Sequence, residues 1–380
     1  MSFFENHNNW PLVALKDIAM LKRGYDLPTK NRVKGGVPIY AANGVNGRHN
    51  EVKIKGPGVI TGRSGTIGKV HYTEQDYWPL NTALYVTNFH GNDPKWVYYM
   101  LCAFKLDRYV EGAGVPTLNR NLVHDELIPL PPLEEQKRIA AILDKADAIR
   151  QKRKQAIDLA DEFLRSVFLD MFGDPVTNPK GLEIQTLGDL AANKGYMVDG
   201  PFGSSVNTKV DYVENGEIPV IRTKNVSNNG EFKNDDLKFM TREKYETVIR
   251  SQVLPGDIVL TKVGTIGNVC IFPSDYPEAV LSTTGSCRIR LSSDLVTKTY
   301  LFFYLQLYKK KMLEIASAGV QPFLNMKHIK GFEVPIPPTE LMEQFGNLVN
   351  KARGLACNQK LSNPDILFEA LSQKAFSGQL

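Results

Sequence analysis

Residues 129–175 read PLPPLEEQKRIAAILDKADAIRQKRKQAIDLADEFLRSVFLDMFGDP, and every helix signal in the run agrees. Pro129, Pro131 and Pro132 lack an N–H and bias their predecessors toward extended geometry, so helix cannot begin before Leu133. Glu134 and Glu135 then place negative charge in the first turn, at the positive end of the helix dipole. No Gly or Pro follows until Gly173, a left-handed stop, and Pro175 prevents continuation. The forty residues Leu133–Phe172 are expected to span about 60 Å at about 1.5 Å per residue, longer than most helices of a compact domain.

The apolar pattern is that of a coiled coil. Ile139, Leu143, Ala146, Arg150, Arg153, Ile157, Ala160, Leu164, Val167 and Met171 are spaced by alternating steps of four and three. That period of about 3.5 residues is the seam of a left-handed supercoil. Arg150-Gln151-Lys152-Arg153-Lys154 interrupts it, either as a solvated or register-setting patch or as a contact to DNA phosphate. A helix of this length needs a partner.

The partner is at the C-terminus, because the chain is a tandem repeat. Pro335-Ile336-Pro337-Pro338 repeats Pro129-Leu130-Pro131-Pro132 at a displacement of 206 residues, and Asn325 pairs with Asn119 in the same register. Ile142–Ala146 falls on Leu348–Ala352. Near the helix end the displacement drops to 204, matching Phe172 with Phe376 and Val167 with Leu371. Gly354 and Pro364 are expected to loosen or break the second helix, leaving pieces near Thr339–Asn358 and Pro364–Phe376. Ahead of each helix lies a domain. Gly65-Thr66-Ile67-Gly68 matches Gly264-Thr265-Ile266-Gly267, each shortly after a Pro-Gly pair, and Trp96-Val97-Tyr98-Tyr99 matches Tyr300-Leu301-Phe302-Phe303. A period near 200 residues is too long for a solenoid and indicates duplication of a domain with its helix.

Bulk properties bound the function loosely. Two domains of about 150 residues plus helices fit the 380-residue length. A balance of 46 basic to 41 acidic residues, net +5, permits nucleic-acid binding without demanding it. Met1–Asn6 shows no basic leader and no apolar run reaches about 18 residues, so neither a secretion signal nor a membrane span is expected. Cys102, Cys270, Cys287 and Cys357 are isolated and read as reduced buried thiols of a cytoplasmic protein.

Residues 1–10 read as a loose arm. Val37–Ala41, Val59–Thr61 and Ala83–Thr87 read as strands, with the stretch from Lys22-Arg23-Gly24 through Lys34-Gly35-Gly36 and Asn43–Asn50 as exposed loops and Gly112–Gly114 as another. Pro94–Leu106 turns helical. In the second domain Ile218–Ile221, Asp257–Val263, Asn268–Phe272 and Ser286–Leu291 read as strands, and Thr297–Lys311 as a helix ending in three lysines.

No catalytic signature survives. Gly62-Arg63-Ser64-Gly65-Thr66-Ile67-Gly68-Lys69 fails as a phosphate loop on spacing, and Val70 offers no hydroxyl for Mg²⁺; a shared tight turn is the better reading. Asp93-Pro94-Lys95-Trp96 only faintly matches the cofactor loop of amino-methyltransferases and lacks its second proline. The six histidines make no metal-ligand spacing, and neither a nuclease carboxylate set nor a nucleophilic triad stands out. Two similar frames with unlike polar loops, on antiparallel helices of one repeat, suit a pseudo-twofold reader of two different DNA half-sites.

At these residues the chain resembles a known family. Pro131–Gln136, Ile142–Ala146 and Phe168–Pro175 look like the central conserved region of specificity subunits of Type I restriction–modification systems, and Leu371–Leu380 is similar to their C-terminal end. The resemblance implies an α+β fold: two similar α/β target-recognition domains separated by two long antiparallel coiled-coil helices with internal pseudo-twofold symmetry. The corresponding division is 1–128 and 176–334 for the domains, 129–175 and 335–380 for the helices. It implies a non-catalytic chain, each domain reading one half of a bipartite site in double-stranded DNA. It further implies two modification subunits that methylate adenine with S-adenosylmethionine, and restriction subunits that use ATP and Mg²⁺; this chain holds no cofactor or metal itself. The alternative is a scaffold or specificity module of another DNA-methylating complex.

Recognition loops of that family carry no transferable motif, so candidate DNA contacts rest on side-chain chemistry alone. In the first domain they are Arg23, Lys30, Asn43, Arg48, Arg63, Asn81 and Arg120. In the second they are Arg222, Lys224, Asn225, Lys262, Thr283, Asn325 and Lys327. Asn119 and Asn325 could equally be caps ahead of the helices.

Overall fold

The structure is a computed structural model that describes residues 3–111, 114–317, 322–356 and 364–380. The chain divides into two compact units, Met1–Gln155 with Gln359–Leu380, and Ala156–Asn358.

In the first unit a four-stranded sheet runs in the order Met20–Arg23, Ala83–Asn88, Gly58–Gly62, Val70–Thr73, with all neighbours antiparallel. A second sheet places Val37–Ala41 between Gly44–His49, antiparallel, and Trp78–Pro79, parallel. Two expected loops are therefore strands. Gly44 and Gly47, at φ +115° and +91°, adopt backbone shapes that other residues avoid, which lets a polar exposed run pair as a hairpin. Lys22 and Arg23 belong to the edge strand Met20–Arg23. Leu12–Ala14 pairs with Leu127–Pro129, closing the domain where the chain enters the long helix.

Helix Pro94–Phe104 starts because the Asp93 carboxylate accepts the Trp96 N–H at 2.8 Å and Pro94 occupies the first turn, so Asp93–Trp96 is a helix cap. It buries Trp96, Val97, Met100, Leu101 and Phe104. Against it lie Ile139, Ala140 and Leu143 of the long helix, which runs Leu133–Phe172 as its proline and glycine limits require. The last helix, Pro364–Ser377, completes this core with Phe376. It runs antiparallel to the long one: Arg138 donates to the Leu380 carbonyl at 3.1 Å, whereas Arg150, twelve residues on, meets Asp365 at 2.6 Å. Arg150 also pairs with Asp147 and lies 5.1 Å over the Phe368 ring, so at this interruption of the seam Arg150 joins the two helices. Residues 3–10 are not a loose arm. Phe4 is buried between Phe104 and Phe376, and the His7 N–H donates to the Ser377 carbonyl, because two phenylalanines this close to the start find an aromatic groove.

The second unit repeats the topology. Its first sheet orders Met197–Asp199, Ser286–Ile289, Ile258–Thr261 and Val269–Ile271. Its second sets Ile218–Ile221 between Lys238–Met240, antiparallel, and Ala279–Leu281, parallel, with Gln252–Val253 added at the edge. Glu183–Thr186 pairs with Glu333–Ile336 as the closing pair. Leu164, Phe168 and Phe172 pack on Met342, Phe345 and Val349 of helix Thr339–Ala356, with Phe168 stacked 5.3 Å from Tyr300 and edge-on to Phe345 at 5.5 Å. This pair is antiparallel as well, since Phe172 meets Phe345 while Asp161 and Arg353 share a cavity farther back.

Several expectations change in detail. The buried stripe is wider than a coiled-coil seam: Phe168 and Phe172 are buried and Val167 and Met171 only partly, because the long helix packs on a domain as well as on a helix. Gly354 lies inside helix Thr339–Ala356 without ending it. Tyr308 separates segments Lys298–Leu307 and Lys309–Ala316, so the three lysines open a second segment instead of closing the first. Cys270 and Cys287 are buried and Cys102 nearly so, and burial pushes each thiol up to about 12. Cys357, Asn358 and residues 112–113 of the expected loop lie outside the described residues. Among the described residues no helix is long and apolar enough to cross a membrane, and no group of three or more His, Cys, Asp or Glu could hold a metal.

Candidate nucleic-acid interface

The Gly-Thr-Ile-Gly turns organise both polar ends. Gly65 and Gly68 stand at φ +90° and +87°, Gly264 and Gly267 at +75° and +80°, left-handed positions that explain the repeated glycines. The residue that leads into each turn is fixed by the same two backbone bonds. The Arg63 N–H donates to Thr82 and its carbonyl accepts from Leu118, at 2.8 and 2.9 Å; Lys262 does the same with Gly285 and Leu324, at 2.8 and 3.1 Å. Thus each turn is tied to the segment that carries Asn119 or Asn325.

In the first unit Arg63, Asn81 and Arg23 come together. The Arg63 guanidinium donates to the Asn81 carbonyl at 2.8 Å, the Asn81 amide donates to the Asp26 carboxylate, and Arg23 sits 3.7 Å from the same carboxylate. One acid against two arginines leaves this cluster net positive, suited to phosphate. Lys30, Asn43 and Arg48 lie apart from it: Lys30 on the exposed turn Thr29–Asn31, Asn43 exposed at the hairpin turn, and Arg48 on Gly44–His49, donating to the Gly36 carbonyl at 2.5 Å. Arg120 is half-buried before the short helix Asn121–His124, where it adds to burial in holding the His124 pKa below its ordinary value. Asn119 accepts the Asn121 N–H and is a local cap.

In the second unit Arg222 and Lys224 converge on Asp236, joined by Lys238 at 3.5 Å. The hydrogen bond from Lys224, with the neighbouring cations, holds the exposed Asp236 carboxyl below its usual range. Two of the expected contacts belong instead to the interior. Asn225 is fully buried; its carbonyl accepts the Arg222 N–H at 3.0 Å and its amide donates to Lys233 and Asp235 carbonyls, so it is committed to holding the loop. Lys262 is 4% exposed and its ammonium pairs with Asp199. Asn325 accepts the His328 N–H at 2.8 Å and caps helix Met326–Lys330, whereas Lys327 is exposed in its first turn. Thr283 is half-buried, its carbonyl against Gly200.

Sequence reasoning missed three cations. Lys53 lies 4.7 Å from the Tyr25 ring centre and 5.2 Å from that of Trp78, Arg32 ties the hairpin through Asn46, and Lys238 joins the Asp236 cluster. Only the aromatic neighbours of Lys53, scattered over 53 residues, could have signalled it.

One frame built twice, each copy carrying its own basic and amide-bearing loops, defines a duplicated two-domain recognition protein. The chain belongs to the family of the type I restriction modification DNA specificity domain, whose model matches residues 7–159 and again 179–346. It is 23% identical over 323 residues to the Type I restriction enzyme MjaIX specificity subunit of Methanocaldococcus jannaschii, covering 78% of this chain and 70% of that one. It is 22% identical to the EcoBI specificity subunit of Escherichia coli, covering 98% of this chain and 87% of that protein. Among solved structures, the S subunit of a Type I restriction-modification system from M. genitalium superposes with a TM-score of 0.60 at 17% identity, over 99% of both chains.

Proposed function

We propose that this chain is the non-catalytic DNA-reading subunit of a type I restriction–modification complex. Each domain reads one half of an asymmetric bipartite site, and the helix continuous over Leu133–Phe172 sets the unread spacer. The observation that carries this reading is the repeated frame: identical backbone ties at Arg63 and Lys262 hold loops whose side chains differ. A shared frame fixes placement on a duplex, and unlike loops give each half-site its own readout. Of the exposed or half-exposed candidates, Arg23, Arg63, Asn81, Arg222, Lys224, Thr283 and Lys327, with Lys30, Asn43, Arg48 and Arg120 at their margins, remain DNA contacts in this reading.

The partners are double-stranded DNA, two modification subunits that bind S-adenosylmethionine, and restriction subunits that use ATP and Mg²⁺. Leu159 and Phe163, 64% and 54% exposed one turn apart on the long helix, are apolar surface available for docking a modification subunit. The complex works inside the cytoplasm, where the DNA is.

The test is sequencing of methylated adenines in a host carrying this chain with its modification subunits. A split motif is expected, its spacer changed or abolished by inserting one helical turn near Lys152. Methylation by the purified chain alone, or a spacer indifferent to the insertion, overturns the reading.

A further inference from the structure

The repeat permits a comparison that neither unit offers alone. At a displacement of 204, Lys105 corresponds to Lys309 and Glu369 to Arg165. In the first unit the pair is an ion pair, with Lys105 Nζ 2.5 Å from the Glu369 carboxylate. In the second unit the carboxylate's place is taken by a guanidinium. Arg165 and Lys309 line one cavity of about 130 Å³ together with Asn228, Gly267 and Gln306. The Lys309 ammonium donates to the amide oxygens of Asn228 and, at 2.6 Å, Asn268. Among the described residues no carboxylate pairs with either cation; Asp161, one turn back from Arg165, is within electrostatic reach but makes no ion pair with it. Burial first, then Arg165, lower the Lys309 pKa below its ordinary value, as expected of cations gathered without a counter-charge.

We propose that the Arg165–Lys309 cavity is a binding site for a phosphate-type oxyanion, which fills the position Glu369 holds in the sister unit. Two cations lining one cavity, beside the Gln306 amide that also donates to the Asn229 carbonyl at 3.3 Å, match the needs of a phosphate oxygen set. Gly267 leaves room for the Lys309 side chain beside the cavity. A Cβ there stands 2.7 Å from Lys309 Cγ, and Gly267 is also the last residue of the turn that Lys262 leads into. The oxyanion is either a phosphate of the DNA backbone, which rests on the reading above, or free inorganic phosphate.

Arg165→Glu tests this without disrupting the fold, because it recreates the ion pair of the first unit. In full-length chain, inorganic phosphate at fixed ionic strength is expected to raise the melting temperature of the wild type but not of R165E. R165E in chloride alone is expected to melt about 1–3 °C higher than wild type, since a repulsive pair becomes an attractive one. In the complex with modification subunits, binding to a duplex of arbitrary sequence is measured across salt concentrations. A backbone source predicts that R165E and Lys309→Met each flatten the log–log salt slope by about 1, uniformly across sequences. A phosphate response with an unchanged slope assigns the site to the free anion and supports the proposal. No phosphate response together with an unchanged slope overturns it. A wild-type complex that binds no duplex refutes the DNA reading and leaves the phosphate arm to judge the cavity.

Discussion

Phe376→Ala, four residues from the end of the sequence, is expected to destabilise the domain at the opposite end. Phe376 is buried, with ring centres 5.5 Å from Phe4 and 6.0 Å from Trp96. Truncating a buried Phe costs about 3–5 kcal/mol, the lost transfer energy plus the cavity left behind. At a urea slope of about 2 kcal/mol per molar, the midpoint falls by about 1.5–2.5 M. Tryptophan fluorescence reports this unit selectively, because all three tryptophans, Trp10, Trp78 and Trp96, belong to Met1–Gln155. The control is Phe345→Ala, an equally buried ring of the second unit. It is expected to lower the transition seen by backbone circular dichroism while leaving the tryptophan midpoint near that of the wild type. If Phe376→Ala leaves the tryptophan transition in place, the C-terminal helix does not complete the first unit and the assignment of the two helical pieces is wrong.

Three further outcomes follow from particular contacts. Lys262→Met strands Asp199, a mostly buried carboxylate, and is expected to cost about 2–4 kcal/mol, with Asp199→Leu in the same chain restoring most of it in a double-mutant cycle by urea unfolding. Gly264→Ala meets no atom within 4 Å but must still hold φ +75°, costing about 1–2 kcal/mol; Gly267→Ala adds a clash with Lys309 and is expected to cost more in the same assay. In a Cys357→Ser background, Cys102, Cys270 and Cys287 are expected to resist a thiol reagent at pH 8 until the chain unfolds. Their folded pKa near 12 lies above the ordinary value of 9, so unfolded thiols ionise first and stability falls as pH rises from about 9 toward 12; an alkaline denaturation series checks the sign.

How much of this was legible beforehand depended on whether the signal was local. The long helix needed only prolines before Leu133 and a glycine at 173, so its limits agree with the structure to the residue. The turns Gly65–Gly68 and Gly264–Gly267 were legible as a shared motif because a left-handed backbone leaves a residue-type trace. Candidate contacts fared unevenly for the opposite reason: Arg63 and Lys262 occupy matched places, yet one guanidinium reaches a loop carbonyl and the other side chain turns inward to Asp199. Residue type states what a side chain can bind, not which way it faces.

By itself the sequence determined that the protein is a duplication, where its long helix starts and stops, and that both copies share a Gly-Thr-Ile-Gly turn. All of these are set by backbone geometry and by periodicity within a few tens of residues. Only the tertiary structure decided that Thr339–Ala356 belongs to one unit and Pro364–Ser377 to the other, and that Phe4 joins Phe376 in a single core. It alone also set Arg165 against Lys309 where the sister copy has an ion pair. Those are contacts between residues more than 100 apart, fixed by how apolar faces find one another in space, and no local pattern encodes them.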